Sequence, residues 1–169
     1  MNTDSSDVRS PVPYALRLID PDLLASWRAE ERPSEDVALV ASGGERIRCC
    51  LRDAAAGERL LLVSYSPPLP APSPYAETGA VFVHAEKCEG PERLDRFPPS
   101  WEGRPQVLRA YDERGCIHPA TRVHEHGSTH DAVAALLAEP GVVEVHSRNL
   151  AYGCFMVAAV SGPTPSRRA

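Results

Sequence analysis

The alternation of apolar and polar positions predicts a sheet-rich domain with two helices. Residues 14–19 read as a first strand, and Asp20-Pro21 then supplies an N-cap followed by proline at the first helical position. That helix carries Leu23, Leu24 and Trp27 on its apolar stripe and ends before Pro33. Residues 46–51 alternate as a strand, with Ile47, Cys49 and Leu51 on one face and Arg46, Arg48 and Cys50 on the other. Residues 59–65 and 80–85 are apolar on both faces, the pattern of interior strands. Between them, the proline-rich stretch 66–74 cannot join a central ladder.

Residues 86–104 read as a long irregular passage. Residues 107–112 and 116–123 form a hairpin around Asp112-Glu113-Arg114-Gly115, with Pro119 confining the second arm to an edge. Residues 128–139 make the second helix, opened by a Ser128/Asp131 capping pair and ended by Pro140-Gly141. Residues 142–147 and 154–160 close the chain as strands, the former with Val143 and Val145 inward and Glu144, His146 and Arg148 outward. The expected fold is α+β: a mostly antiparallel sheet of six to eight strands with two helices packed on it. Residues 1–12 are expected to be a disordered lead-in, 13–160 a single domain and 161–169 a flexible tail.

Composition narrows the class. A chain of 169 residues, 43% hydrophobic and 24% charged, is long enough to build one core without a staple. The net charge of −5 argues against a nucleic-acid partner. No apolar run approaches a membrane span and the first ten residues lack a signal-peptide pattern, so a soluble, cytoplasmic protein is expected. Five cysteines in a reducing compartment then read as thiols or ligands rather than as a disulfide framework. Gly-x-Gly-x-x-Gly, P-loop, His-Glu-x-x-His and Gly-x-Ser-x-Gly motifs are all missing.

Several strings resemble one known family. They are residues 48–54 (Arg-Cys-Cys-Leu-Arg-Asp-Ala), Leu-Leu-Val-Ser-Tyr at 61–65, residues 73–79 followed by Val-Phe-Val-His-Ala at 81–85, Leu-Arg-Ala-Tyr-Asp at 108–112, and His-Ser-Arg-Asn at 146–149 with Gly-Cys-Phe at 153–155. Together they are similar to the bacterial family catalogued as domain of unknown function 1203. The resemblance implies a small bacterial domain and no activity, so no catalytic residue follows from it.

Four groups of residues can carry chemistry. Cys50, His84 and Cys88 include a His-x3-Cys spacing common in zinc sites, but with no evident fourth ligand no metal-ligand set is assigned. The competing view is that Cys49 and Cys50 fill the core as small hydrophobes. The tract His124-Glu125-His126-Gly127-Ser128-Thr129-His130-Asp131 reads as a solvated loop entering a helix. Cys50 is a candidate nucleophile, flanked by Arg48 and Arg52 and facing His84 as proton acceptor. Finally, Tyr65, Tyr75, Glu77, Arg109, Tyr111, Arg148 and Asn149 suit an anionic small molecule, with structural pairing of Arg109 to Glu77 or Asp112 as the alternative.

The leading expectation is a small-molecule-binding domain with His84 and Cys50 as catalytic candidates and Tyr75, Glu77, Arg109, Tyr111, Arg148 and Asn149 as ligand contacts. Whether a reaction is catalysed stays open. The alternatives are a non-catalytic homodimeric interaction module and a zinc-binding protein, with neither nucleic acid nor membrane as partner.

Overall fold

The computed structural model describes residues 13–29 and 36–162. The expected lead-in and most of the expected tail lie outside them, while the first helix ends at Arg28, before Pro33 as expected. Among the described residues, ten strands form two sheets rather than one of six to eight. Strands β1 (Tyr14–Arg17), β10 (Phe155–Ser161), β9 (Glu144–Asn149), β7 (Gln106–Tyr111) and β8 (Arg122–His124) lie side by side in that order. The second sheet orders β2 (Val37–Val40), β5 (Arg59–Tyr65), β6 (Gly79–His84), β3 (Arg46–Ile47) and β4 (Arg52–Asp53). All pairings are antiparallel except β3 with β6.

Two apolar clusters account for the layers. Helix α2 (Thr129–Leu137) packs Val133, Ala134, Leu136 and Leu137 with Leu108, Val145 and Val157 of the first sheet. The second cluster joins Leu61, Val63 and Tyr65 of β5 to Phe155 and Ala158 of β10, so the two sheets meet there. Helix α1 (Pro21–Arg28) adds Trp27, whose ring meets Tyr65 edge-on at 5.9 Å. Both helix starts follow the expected chemistry: Asp20 accepts from the backbone N–H of Asp22 and Leu23, and Ser128 accepts from that of Asp131.

Three local expectations are corrected. Residues 46–51 are not one strand: the chain reverses through Arg48–Leu51, and both cysteines sit in that turn. Residues 86–104 contain a 3-10 turn, Pro99–Trp101, which buries Trp101 with its indole N–H donating to Asp53. Glu144, His146 and Arg148 do not face solvent. Val145 packs with α2, while on the opposite face Glu144 pairs with Arg17, His146 packs on Tyr111 and Phe155, and Arg148 pairs with Glu77, so all three side chains are buried.

One close approach fixes the proline-rich stretch against the tip of the β7 hairpin. Gly115 has φ +72°, and a Cβ there would lie 2.6 Å from the Ala71 carbonyl oxygen. Gly115→Ala is therefore expected to lose about 2–3 kcal/mol, the left-handed penalty plus a forced backbone shift. Gly57→Ala, at φ +92° with open space around it, should lose only about 1 kcal/mol. Paired thermal melts check this, and equal losses would refute the steric account.

Candidate metal centre

Short-range geometry brings four potential ligands together. The β3–β4 reversal places Cys49 and Cys50 in a four-residue turn closed by Leu51, a non-glycine residue at φ 54°. Two bonds hold that turn against β6: Arg48 N–H donates to the Phe82 carbonyl (2.9 Å), and the His84 N–H donates to Cys49 Sγ (3.3 Å). His84 ends β6, and Cys88 returns four residues later. Cys49 Sγ then lies 3.5 Å from Cys88 Sγ and 3.6 Å from His84 Nδ1, while Cys50 Sγ lies 3.4 Å from the same nitrogen. All four ligand atoms fall within 4.8 Å of one another, so the cluster can hold a metal ion.

The surroundings orient it. His84 Nε2, the nitrogen facing away from the sulfurs, lies 3.4 Å from Glu58 Oε1 and 3.3 Å from a terminal nitrogen of Arg52. Glu58 is gripped by both Arg52 terminal nitrogens at 2.6 and 2.9 Å and by the Ala55 N–H, and the Arg52 contact holds its carboxyl at about 2. From α1, Arg28 donates to the His84 carbonyl (3.1 Å) and approaches Cys88 Sγ (3.8 Å). The hydrogen bond from Cys50 lowers the Cys49 thiol despite burial, and the same contact pushes the Cys50 thiol up. A cleft of about 1130 Å³ between α1 and residues 85–90 reaches Cys49 and Cys88.

The expected site residues divide into separate groups. His84 and Cys50 do meet, and Cys49 joins them from a position read as core. Glu77 is ion-paired to Arg109 (3.1 Å), the structural pairing weighed from the sequence, and also to Arg148 (2.7 Å), which was not. Tyr111 is buried on the same sheet face, with its ring 4.7 Å from that of His146. Tyr65 is buried between Trp27 and Phe155. Tyr75 stands about half exposed on the proline-rich stretch, and the Asn149 side chain accepts from the Ala151 and Tyr152 N–H groups of the β9–β10 turn. Glu77 precedes the start of β6 and His84 ends it, a run of about 16 Å at strand rise, so the two groups occupy different places. In the 124–131 tract, His124 contacts the Gly127 carbonyl and His130 contacts the Tyr14 hydroxyl, consistent with a structural role.

Among the described residues no helix is long and apolar enough to cross a membrane. No curated protein and no solved structure matches the chain. A family model described as "Protein of unknown function (DUF1203)" matches residues 44–160, a span that contains all four clustered ligands and most of both sheets. The chain belongs to the DUF1203 family.

Proposed function

We propose that the chain is a zinc-binding domain in which Cys49, Cys50, Cys88 and His84 hold one ion. The observation that carries this is the mutual spacing of the four ligand atoms. Zn–S bonds near 2.3 Å and Zn–N bonds near 2.0–2.1 Å make tetrahedral edges of about 3.8 Å between sulfurs and about 3.6 Å between sulfur and nitrogen. The separations of 3.5, 3.6 and 3.4 Å are close to those edges. Soft thiolates with one imidazole favour zinc over magnesium or calcium, and four protein ligands close the coordination sphere. The ion then acts as a clasp joining the 48–51 turn, the end of β6 and the following loop. His84 would bind through Nδ1 and donate from Nε2–H to Glu58, a carboxylate–histidine pairing that fixes ring orientation.

Elemental analysis of untreated protein tests this: about one zinc per chain is expected. Cobalt substitution should give the intense visible bands of a tetrahedral thiolate site. Metal-free protein that also fails to take up cobalt would overturn the proposal. Glu58→Gln should retain the fold while weakening zinc affinity by about 10–100-fold in chelator competition. Unchanged affinity would remove the carboxylate from the account.

A second reading rests on the 3.4 Å contact of Cys50 Sγ with His84 Nδ1, where His84 lines a hollow of about 280 Å³ with Glu58 and Cys88. In it, Cys50 is a nucleophile and His84 its proton acceptor, acting on a small molecule. A bound ion occupies both groups, so full zinc occupancy excludes this reading.

A further inference from the structure

A different hollow, between the β9–β10 turn and β3, has the chemistry of an anion site. Its volume is about 420 Å³, and its walls include Arg46, Arg48, Phe82, Asn149, Tyr152 and Cys154. Arg48 is the most buried arginine among the described residues, at 4% exposure. Its Nε donates to the Phe155 carbonyl (2.8 Å), one terminal nitrogen donates to the Arg46 carbonyl, and the other approaches Met156 Sδ (3.7 Å). All three acceptors are uncharged. A guanidinium is charged at neutral pH in proteins.

Arg46, beside it, also has no carboxylate partner among the described residues. Arg52 and Arg104 nearby, by contrast, are matched to Glu58 and Asp53. The one acidic residue on the rim, Glu45, is turned back on its own loop, where its carboxylate accepts from the Ser42 and Gly43 N–H groups at 2.7 and 2.9 Å. The Asn149 side-chain oxygen serves the turn, leaving the amide N–H₂ as a further donor. Tyr152, 82% exposed, is the most exposed large apolar residue described, and it stands at the mouth. A buried guanidinium facing only neutral acceptors is costly unless a counter-charge arrives. Donors therefore gather where no internal carboxylate answers them.

We propose that this hollow binds a small oxyanion, a carboxylate or a phosphate monoester on a flat apolar body, with Arg46 and Arg48 holding the anion and Tyr152 covering the body. The hollow is a separate place from the thiol–histidine cluster, although Arg48 begins the turn that carries Cys49 and Cys50. It also differs from the Arg109–Arg148 pair, whose charge Glu77 already meets.

Cys154 lines the hollow as a partly exposed free thiol, and Cys116, equally free and partly exposed, lies outside it. Alkylation of the purified full chain by neutral iodoacetamide, followed at each cysteine by mass spectrometry, reads occupancy directly. Benzoate and phenyl phosphate are the two anion arms, and benzamide is the uncharged control. At ligand near ten times its dissociation constant, Cys154 should react roughly tenfold more slowly, with Cys116 unchanged. The arm that protects at lower concentration identifies the anion. Arg46→Ala should abolish protection and Tyr152→Ala should weaken it, both at unaltered melting temperature. Either variant alone is informative if the other fails to fold. The site does not exist if neither anion protects Cys154, if benzamide protects equally, or if both folded variants protect like the parent chain.

Discussion

Cys88→Ser is expected to reduce the zinc content from about one equivalent to below about a tenth, and to lower Tm by roughly 10 °C. Losing one of four ligands leaves a weak three-ligand site, and the tie between the turn, the end of β6 and the following loop is lost. The 48–51 turn rests on β6 through two hydrogen bonds and the four-ligand cluster, and β3 and β4 are only two residues long each. The magnitude follows from linkage. An ion at about a thousand times its dissociation constant stabilises the native state by about 4 kcal/mol. For a chain of this length, each kcal/mol moves Tm by about 2–4 °C. The variant should still melt cooperatively, because both apolar clusters survive the loss of the ion. Chelation of the parent protein should reproduce the shift, and chelation of Cys88→Ser should add nothing. A variant with undiminished zinc, or one that loses zinc with no change in Tm, would refute the clasp.

Three of the four clustered ligands, Cys50, His84 and Cys88, were grouped from the sequence. His84-x3-Cys88 is a local spacing, visible without coordinates. Cys49 was hidden because strand alternation sends neighbouring residues to opposite faces, whereas a turn lets adjacent side chains converge. Nothing in Arg48-Cys49-Cys50-Leu51 marks a turn: it has no Gly, Pro, Asn or Asp, and Leu51 takes up the left-handed conformation instead. The same limit applied to β9. Glu144, His146 and Arg148 alternate with apolar residues, which reads as a solvated face. They are buried against Arg17, Tyr111, Phe155 and Glu77, partners from other segments that local pattern does not encode. The helix starts at Asp20-Pro21 and Ser128, the interior character of β5 and the hairpin turn near Gly115 were readable, since each is set by residues a few positions apart.

The buried face of β9 yields the other large expected effect. Glu144, its side chain 3% exposed, is held by both terminal nitrogens of Arg17 and by His146 Nε2. Removing one member of a buried ion pair strands the other, at about 3–5 kcal/mol, whereas replacing both by apolar groups of similar size is close to neutral. Arg17→Met should therefore cost about 3 kcal/mol, the lower end because Arg17 is itself about a third exposed. Adding Glu144→Leu should recover most of that loss. The pH dependence separates this from lost packing. Burial lowers the His146 pKa, opposed by Glu144 and assisted by the positive charges of Arg17 and Arg148. Between that lowered value and the ordinary one near 6.5, the unfolded chain binds more protons, so the parent protein loses stability as pH falls through this window. Without Arg17, a protonated His146 can supply the missing positive charge to Glu144. Its pKa rises, and the variant loses less stability than the parent on acidification. The difference between the two, from denaturant titrations at about pH 7.5 and about pH 5.5, should narrow at the lower pH. A constant difference would show that Arg17 contributes through its aliphatic stem and not through the charge it presents to Glu144.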